Sequence, residues 1–470
     1  MTKKILLVAY HFPPSIEVGG LRIANWCRHL PQYGWTPYVL TVMDKHLDKV
    51  DPENLKYVGS VKVVKAGLMP RLSSGYLAVK KSMQRLCCRP NRPRGLSEDN
   101  SEYYMPSNPS VDSMVETMVQ RLRRYIRSFL MLPDQHRNWI LPALIQGLHM
   151  IRHEKIDCVL TSGPPHSAHL VGWVLKLITG VRWIVDFRDP WMTGGTKKLY
   201  SNCGMSLRID RWLEWHVLQR ADLVVANTER LSKEFQKAYG GQLSNRSVCI
   251  ANGFDAEFFS RFSQVGKENI FTIVYAGTLY FGRTPEPVFR AVYELIQEGC
   301  VDPRRIRIRL VGQCRSIDGG SVERIIQHYR LDSIVEVLDS VSYDRAVEMV
   351  KQSHLALLLA PNQPYQIPAK VYDYMGIGTT VLALTEDGAT SDLVQATGIG
   401  AVFLSSDVAG IKKFIVRSMN CPADAVLPAK NRTVADYEIR SLARSLAHHL
   451  DQIIGRTEYA AGVQELRSRL

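Results

Sequence analysis

The sequence lacks the patterns that mark disulfide-bonded, zinc-binding or membrane-spanning proteins. Its nine cysteines include no Cys-x-x-Cys pair, and only Cys87 and Cys88 are neighbours. Such a set is typical of reduced thiols in a cytosolic protein. No uninterrupted apolar run reaches the roughly 18 residues that a membrane span needs. The start, MTKKILLVAY, has no small-residue cleavage site, which favours a first strand over a signal peptide.

The composition is that of a soluble globular protein with two domains. At 470 residues the chain is too long for one hydrophobic core. Its net charge of +14 is unevenly distributed: residues 1–250 hold 35 Lys and Arg against 20 Asp and Glu, and residues 251–470 hold 24 against 25. The basic half predicts an anionic partner, such as a membrane surface or nucleic acid. A basic surface that is only solvated is the alternative.

Short apolar runs alternate with helical stretches in both halves, as in buried parallel sheets. The strands predicted in the first half are Ile5–Tyr10, Tyr38–Val42, Val61–Lys65, Cys158–Ser162, Trp183–Phe187 and Leu223–Ala226. Those predicted in the second half are Ile270–Ala276, Ile306–Val311, Val335–Leu338, Leu355–Leu359, Thr380–Leu384 and Ala401–Leu404. The pattern predicts an α/β protein with two doubly wound, Rossmann-like domains that face each other across a cleft.

We place the domains at 1–250 and 251–435, with the seam at the turn-forming stretch ANGFD and a helical segment over 436–470 that can pack back on the first domain. Residues 71–112 are rich in proline and lack periodicity, which indicates an irregular insert. Residues 118–132 predict a basic amphipathic helix. Such a helix suits an anionic membrane, or it packs on the domain with solvated arginines.

Ligands of doubly wound sheets bind in the loops after the strands. After the first strand, Gly19 and Gly20 allow close approach of a ligand, or simply a tight turn. After the fourth strand, His166 lies at the loop tip and is a candidate catalytic residue. After the fifth strand, in DFRDPW, two carboxylates flank Arg188. Asp189, nearer the cleft, is the candidate catalytic carboxylate, and an ion pair with Arg188 is the alternative.

The loop AGTLYFGRTPEP in the second half suits a phosphate group. Gly277 permits close approach of a ligand, and Arg283 offers a planar cation beside the start of the next helix. An ordinary surface arginine is the alternative.

The stretch YQIPAKVYDYMGIGTTVLAL predicts a short helix from Ile367 to a Gly-x-Gly turn, followed by a buried strand. Lys370 falls in the first turn, where the helix dipole favours an anion. Asp373 follows on the same face and can accept hydrogen bonds from ribose hydroxyls. Together they describe a nucleotide site with Lys370 and Arg283 as candidate catalytic cations. A surface ion pair between Lys370 and Asp373, worth about 0.3 kcal/mol, is the alternative.

These motifs resemble those of the bacterial family 4 glycosyltransferases, which have the GT-B fold. FPPSIEVGG is similar to the family's acceptor-side loop, ANGFD to its signature at the second domain, and AGTLYFGR and YQIPAKVYDYMGIG to its donor loops. DFRDPW and PDQHRNW resemble a subgroup that acts in surface-polysaccharide and lipopolysaccharide assembly.

The resemblance implies that a sugar moves, with retention, from a nucleoside-diphosphate sugar to a hydroxyl of a lipid-linked or polysaccharide acceptor. It implies a cytoplasmic enzyme, peripheral at the inner face of the plasma membrane. It assigns Gly277, Thr278, Arg283, Tyr365, Lys370 and Asp373 to the donor, and Gly19, Gly20 and Arg188 to the acceptor side. The sequence contains no Asp-x-Asp, so we expect no metal cofactor.

Two departures from the family pattern concern the donor site. Thr278 and Arg283 stand where the family commonly has Arg and Lys, and Tyr365 and Asp373 where it often has two glutamates. A nucleotide-sugar 2-epimerase of the same fold and a non-catalytic basic binding protein are the alternative functions. Nucleic acid is the less favoured partner because the second half has no basic excess.

Overall fold

The structure, a computed structural model, describes residues 2–70, 128–129, 131–193, 204–280, 282–420 and 433–469. The predicted insert 71–112 and most of the predicted helix 118–132 lie outside these residues.

A seven-stranded parallel sheet forms the first half of the protein. Its strands are β1 Lys3–Val8, β2 Trp35–Val42, β3 Lys62–Ala66, β4 Cys158–Gly163, β5 Arg182–Phe187, β6 Leu223–Ala226 and β7 Ser247–Cys249, in the spatial order β3-β2-β1-β4-β5-β6-β7. Its helices are α1 Val18–His29, α2 Ile140–Glu154, α3 Ser167–Thr179, α4 Gly204–Arg220 and α5 Glu229–Tyr239.

A six-stranded parallel sheet forms the second half. Its strands are β8 Phe271–Ala276, β9 Ile306–Val311, β12 Val335–Leu338, β13 Leu355–Leu359, β14 Thr380–Leu384 and β15 Gly400–Phe403. Their spatial order is β12-β9-β8-β13-β14-β15. Between β9 and β12, β10 Ser316–Ile317 pairs with β11 Gly320–Ser321 in a small separate hairpin. The helices are α6 Ala256–Ser260, α7 Glu286–Gln297, α8 Val322–His328, α9 Tyr343–Gln352, α10 Lys370–Ile377, α11 Ala389–Thr397, α12 Val408–Asn420 and α13 Ile439–Arg469.

The two Rossmann-like sheets confirm the predicted fold class, and all twelve predicted strands are present. Five have the predicted bounds. The largest difference is in β2, which begins three residues early and includes Pro37, a residue that argues against strand structure. The sequence reading missed β7, which has only three residues, and the β10–β11 hairpin, which has two residues in each strand.

Helices cover both faces of the first sheet because its strands are apolar on both sides. Leu6, Val8 and Val159 face the layer formed by α2, α3 and α4. Ile5 and Leu7 face α1 and also the C-terminal helix α13, whose Leu446 and Leu450 are fully buried. The C-terminal helix therefore packs on the first sheet.

The chain leaves the first sheet after Cys249 and enters the second at Phe271. Arg22 of α1 holds this crossing: its guanidinium donates to the carbonyl oxygens of Ile250 and Ala251, at 2.7 and 2.6 Å. The same guanidinium forms a buried ion pair with Asp186, at 2.9 Å. Arg22 thus neutralises the carboxylate of Asp186 at the end of β5 and also fixes the segment that leads into the second half.

Candidate functional site

The carboxyl ends of both sheets border one cleft, and a short helix begins at its edge in the second domain. The helix α10 begins at Lys370, so the start predicted at Ile367 is wrong by three residues. Pro368 and Ala369 form a tighter turn, whose carbonyl oxygens accept from the amides of Val371 and Tyr372. Lys370 is therefore the first residue of the helix.

The side chain of Lys370 lies over the end of strand β8. Its Nζ is 4.0 Å from the centroid of the Tyr275 ring. A Cβ atom on Gly277 would lie 2.5 Å from the same Nζ, and Gly277 has a φ of +143°, which side-chain-bearing residues rarely adopt. Burial, followed by the positive charge of Arg283, lowers the pKa of Lys370 to about 7. Gly277 is thus needed both for its backbone conformation and for the approach of the lysine.

Arg283 supplies a second cation close to Lys370. Its side chain is only 7% exposed, and its guanidinium lies 4.3 Å from the centroid of the Tyr280 ring. Its buried Nε has no hydrogen-bond partner. Among the residues that the structure describes, no carboxylate forms an ion pair with Arg283 or Lys370. Arg283 is therefore buried, so the alternative of an ordinary surface arginine is wrong. Arg283 of this loop and Lys370 of α10 form a pair of cations that no described carboxylate neutralises.

Asp373 lies one turn along α10. It accepts a hydrogen bond of 2.8 Å from the hydroxyl of Tyr343 and forms no ion pair with Lys370, although both residues are described. Burial raises the pKa of the Asp373 carboxyl to about 6, although the hydrogen bond from Tyr343 and the charge of Lys370 oppose this change. The simple ion pair between Lys370 and Asp373, which was the alternative to a nucleotide site, is therefore not formed in the described structure.

Thr278 and Tyr365 contribute differently from these residues. The backbone oxygen of Thr278 accepts a hydrogen bond of 2.7 Å from the Tyr275 hydroxyl. The ring of Tyr365 packs against the core of the first domain, and its carbonyl oxygen accepts a hydrogen bond of 2.8 Å from Thr228. Tyr365 thus joins the two domains and does not extend the Lys370–Arg283 group.

A second contact crosses the cleft beside Tyr365. The side-chain amide of Gln366 donates a hydrogen bond of 2.7 Å to the carboxylate of Asp189. In the described structure, neither carboxylate of DFRDPW forms the alternative ion pair with Arg188. Asp189 accepts from Gln366, and Asp186 pairs with Arg22. Asp189 therefore lies where the two domains meet.

Gly19 and Gly20 lie in the first turn of α1, so the interpretation of these residues as a loop or tight turn is wrong. Their small size still matters. The guanidinium of Arg188 occupies the position that a Cβ atom on Gly19 would take, and a Cβ on Gly20 would lie 3.1 Å from the Cα of Phe12. The three residues predicted for the acceptor side, Gly19, Gly20 and Arg188, are thus brought together.

Arg188 is surrounded by backbone carbonyls and imidazole rings. Its guanidinium donates to the carbonyl oxygen of Pro164. Burial, followed by the charges of His136 and Arg188, lowers the pKa of His11 to about 3. Burial and the charge of Arg188 lower the pKa of His169 to about 3. The arginine thus keeps its positive charge while the two imidazoles next to it stay neutral.

His166 lies at the loop tip, as predicted, but it is only 8% exposed. Its ring stacks on Trp191 with a centroid separation of 4.9 Å and an interplanar angle of 2°. His169 is fully buried, and its Nδ1 is 3.0 Å from the hydroxyl of Thr161. His166 is therefore the imidazole nearer to the cleft.

Four residues of the site were not singled out from the sequence. Tyr275 lies under Lys370, Tyr343 donates to Asp373, Gln366 contacts Asp189 and Trp191 stacks on His166. Trp191 lies in DFRDPW and Gln366 in YQIPAKVYDYMGIG. Both segments follow strands, so their position indicated that these two residues could line the site. Tyr275 reads as one more apolar strand residue, and no local pattern distinguishes Tyr343.

Neither a metal-holding cluster nor a membrane-spanning helix is present in the described part of the chain. Within it, no group of three His, Cys, Asp or Glu side chains is arranged to hold a metal ion. No helix there is long and apolar enough to cross a bilayer.

The sequence pattern of Glycosyltransferase Family 4 matches residues 102–258, which include the DFRDPW loop and ANGFD. The match covers 157 of the 470 residues. No curated protein matches the sequence. The matched segment contains Asp189, Arg188 and His166, which lie on the first-domain side of the cleft.

Solved structures share the architecture over nearly the whole chain. Sucrose-phosphate synthase from Thermosynechococcus elongatus is 15% identical, with 98% of this chain and 100% of that one covered and a TM-score of 0.57. Anabaena Alr3699/HepE in complex with UDP is 15% identical, with 99% and 100% covered and a TM-score of 0.55. UDP-GlcNAc 2-epimerase from Neisseria meningitidis bound to UDP-GlcNAc is 14% identical, with 96% and 100% covered and a TM-score of 0.52. At these identities the likeness establishes the fold alone, and it confirms the predicted GT-B arrangement.

Proposed function

We propose that the protein transfers a sugar from a nucleoside-diphosphate sugar to a hydroxyl of a lipid-linked or saccharide acceptor. The observation that carries this proposal is the pair of cations Lys370 and Arg283 at the edge of the cleft. The positive charge of Arg283 lowers the pKa of Lys370, and no described carboxylate is paired with either side chain, which favours a bound anion. A diphosphate is the anion that best matches two cations beside a helix start.

The same residues suit the donor in the orientation that the helix imposes. The diphosphate would lie against Lys370, Arg283 and the first amides of α10. Asp373, one turn further on, would accept hydrogen bonds from the ribose hydroxyls. Gly277 would let the phosphates approach the backbone. The sequence has no Asp-x-Asp, so the proposal assigns the charge of the diphosphate to these groups and not to a bridging metal ion.

In the proposed step, the bond between the anomeric carbon and the diphosphate oxygen breaks, and the nucleoside diphosphate leaves with the bonding electrons. The acceptor oxygen bonds to the anomeric carbon, and its proton passes to the leaving phosphate oxygen, so the configuration is retained. Negative charge grows on the leaving group as the bond breaks. Lys370 and Arg283 stabilise it there, and each such preorganised donor contributes about 3 kcal/mol.

The acceptor would enter from the first domain. Arg188 presents a positive charge beside neutral imidazoles, and His166 and Asp189 lie on the loops that border the cleft. These groups suit an acceptor that carries hydroxyls and an anionic group. The match to the family 4 pattern over 102–258 supports this assignment, and the UDP and UDP-GlcNAc bound in the similar GT-B structures support a nucleotide in the cleft.

Removal of either cation tests the proposal. Arg283→Ala and Lys370→Met are each expected to lower sugar transfer by more than about tenfold, because leaving-group stabilisation is lost. Arg290→Ala is the matched control, since Arg290 lies on the exposed side of α7 and pairs only with Glu294 there. Full activity in both cation variants would overturn the assignment.

The donor is found by measuring the melting temperature with UDP-, GDP- and other nucleotide sugars. A ligand present at 100 times its dissociation constant adds about 2.7 kcal/mol of stability.

Incubation of the bound sugar nucleotide without acceptor distinguishes the transferase from the alternative enzyme, because an epimerised donor would identify a 2-epimerase. Nucleotide-independent, salt-sensitive binding to any duplex would instead identify a basic binding protein.

A further inference from the structure

Three helices on one face of the first sheet expose large apolar side chains to solvent. These helices are α2, α3 and α4, and we call their outer surface the docking face. Its exposed apolar residues are Leu141, Ile145, Leu177, Ile178, Met205, Trp212 and Trp215. Large apolar side chains exposed together on three neighbouring helices are uncommon on a protein that has no partner.

Helix α4 contributes the aromatic part of the docking face. Met205, Arg208, Trp212 and Trp215 are spaced so that they share one side of the helix. Trp212 is 53% exposed and Trp215 is 44% exposed. Trp212 meets Trp173 of α3 edge to face, with ring centroids 6.1 Å apart. Trp212 is therefore held in place by a neighbouring helix, while much of the surface of both tryptophans stays in water.

The charges of the docking face have one sign. None of the exposed residues of α2, α3 and α4 is acidic, whereas Arg152, Arg208, Arg211 and Arg220 are all exposed. The two carboxylates of α4 are on its inner side, where Asp210 is 1% exposed and Glu214 is fully buried. The outer surface thus combines tryptophan, aliphatic side chains and arginine.

The buried carboxylates connect the docking face to the cleft. Asp210 accepts a hydrogen bond of 3.0 Å from the indole of Trp191, and Glu214 accepts one of 2.9 Å from the amide of Met192. These residues follow Asp189 in the DFRDPW loop, and Trp191 is the ring on which His166 stacks. One side of α4 therefore holds a loop that borders the cleft, and the other side faces outward.

We propose that the docking face binds the surface of an anionic lipid bilayer. Tryptophan is enriched at the boundary between water and hydrocarbon, and arginines attract anionic head groups. Because α4 also holds the DFRDPW loop, docking would bring the acceptor side of the cleft to the bilayer. That placement rests on the proposed lipid-linked acceptor, whereas the binding itself does not depend on catalysis.

Co-sedimentation with vesicles tests the proposal on the full-length protein. The probes are phosphatidylcholine vesicles with and without phosphatidylglycerol, at low and at physiological salt. Arg208→Gln/Arg211→Gln and Trp212→Ala/Trp215→Ala are each expected to weaken binding to the anionic vesicles by at least about tenfold. Arg324→Gln/Arg330→Gln removes the same charge from exposed positions of the second domain and is expected to leave binding unchanged.

The melting temperature and UDP or GDP binding of each variant are measured in parallel. Lost vesicle binding with retained folding and nucleotide binding supports the docking face. Equal losses in the control pair would overturn it, because binding would then follow net charge alone. The proposal would also be overturned if the wild-type protein bound no vesicles but formed a dimer that dissociates in Trp212→Ala/Trp215→Ala. The docking face would then be an interface between copies of the chain. Vesicle binding without any nucleotide binding would support the face while contradicting the proposed transferase.

Discussion

Lys370 lies directly over Gly277, so that a Cβ atom on the glycine would be 2.5 Å from the lysine Nζ. The two residues are far apart in sequence: Gly277 lies in the loop after β8, and Lys370 is the first residue of α10, which follows β13. The contact places an ammonium group over the end of β8, beside Arg283. Replacement of this glycine therefore acts on the proposed diphosphate site without removing a charge.

Gly277→Ala is expected to destabilise the protein by about 1–3 kcal/mol, because alanine rarely adopts a φ of +143°. It is also expected to displace Lys370 and weaken nucleotide-sugar binding by about tenfold or more. Gly299→Ala is the control: Gly299 also has a positive φ, +69°, but a Cβ atom there meets nothing. Thermal unfolding and calorimetric titration check both effects. Equal affinities in the two variants would contradict the role of Gly277.

The pH dependence of donor binding follows from the two titrating groups on α10. Lys370 has a pKa of about 7, so it carries its positive charge below that pH and loses it as the pH rises. Asp373 has a pKa of about 6, so it is an ionised acceptor above that pH and becomes protonated below it. We therefore expect the affinity for a nucleoside-diphosphate sugar to be highest between about pH 6 and pH 7.

Calorimetric titration from acidic to alkaline pH checks this window. Either UDP-glucose or GDP-mannose is a suitable probe if it binds, because its diester phosphates stay ionised throughout. Lys370→Met is expected to abolish the decline above pH 7, and Asp373→Asn the decline below pH 6. A decline above pH 7 that persists in Lys370→Met would assign the titration to another group.

Gly19→Ala tests the acceptor side. A methyl group on Gly19 would overlap the guanidinium of Arg188, which must then move away from the carbonyl of Pro164. We expect KM for the acceptor to rise by about tenfold while donor affinity is unchanged, because the donor residues lie in the other domain. Steady-state kinetics with each substrate varied in turn measures this. Gly266→Ala, where φ is not positive and a Cβ atom meets nothing, is the control.

The ion pair of Arg22 with Asp186 is expected to be the most sensitive contact at the junction of the domains. Its side chains are 7% and 0% exposed. Arg22→Met would leave Asp186 buried without a counter-charge, at a cost of about 3–5 kcal/mol. Arg28→Met removes a more exposed arginine of the same helix, which pairs with Asp255, and should cost less than about 1 kcal/mol. The two melting temperatures decide the matter; similar values would contradict the prediction.

Prediction of the fold succeeded because buried parallel strands are apolar runs bounded by turn residues. The bounds of β9, β12 and β13 follow from their own composition. Prediction was poorer at the helix starts. Gly19 and Gly20 read as a turn, yet they are helical. The contact that requires a glycine at position 19 comes from Arg188 in a distant loop, which the local sequence does not reveal. The position of Lys370 at the first residue of α10 likewise depends on the tight turn at Pro368.

The candidate site was predictable in part, because parallel strands bring the loops at their carboxyl ends together. The structure brings Arg283 and Lys370 together and places Asp373 one turn further along α10, and their assignment to a donor stays a prediction. The contact of Tyr365 with the other domain was not predicted. The exposed tryptophans of α4 were not found either, because a helix with apolar residues on one side and carboxylates on the other ordinarily buries the apolar side.

The sequence by itself determined the two Rossmann-like sheets, the basic first half and the loops in which charged residues meet the cleft, since these depend on local composition and on strand order. Only the tertiary structure decided which charges are neutralised. Asp186 is paired with Arg22 and Asp210 is buried under Trp191, whereas no described carboxylate pairs with Lys370 or Arg283. Ion pairing depends on distances between residues remote in sequence, and those distances are set by the packing of whole elements.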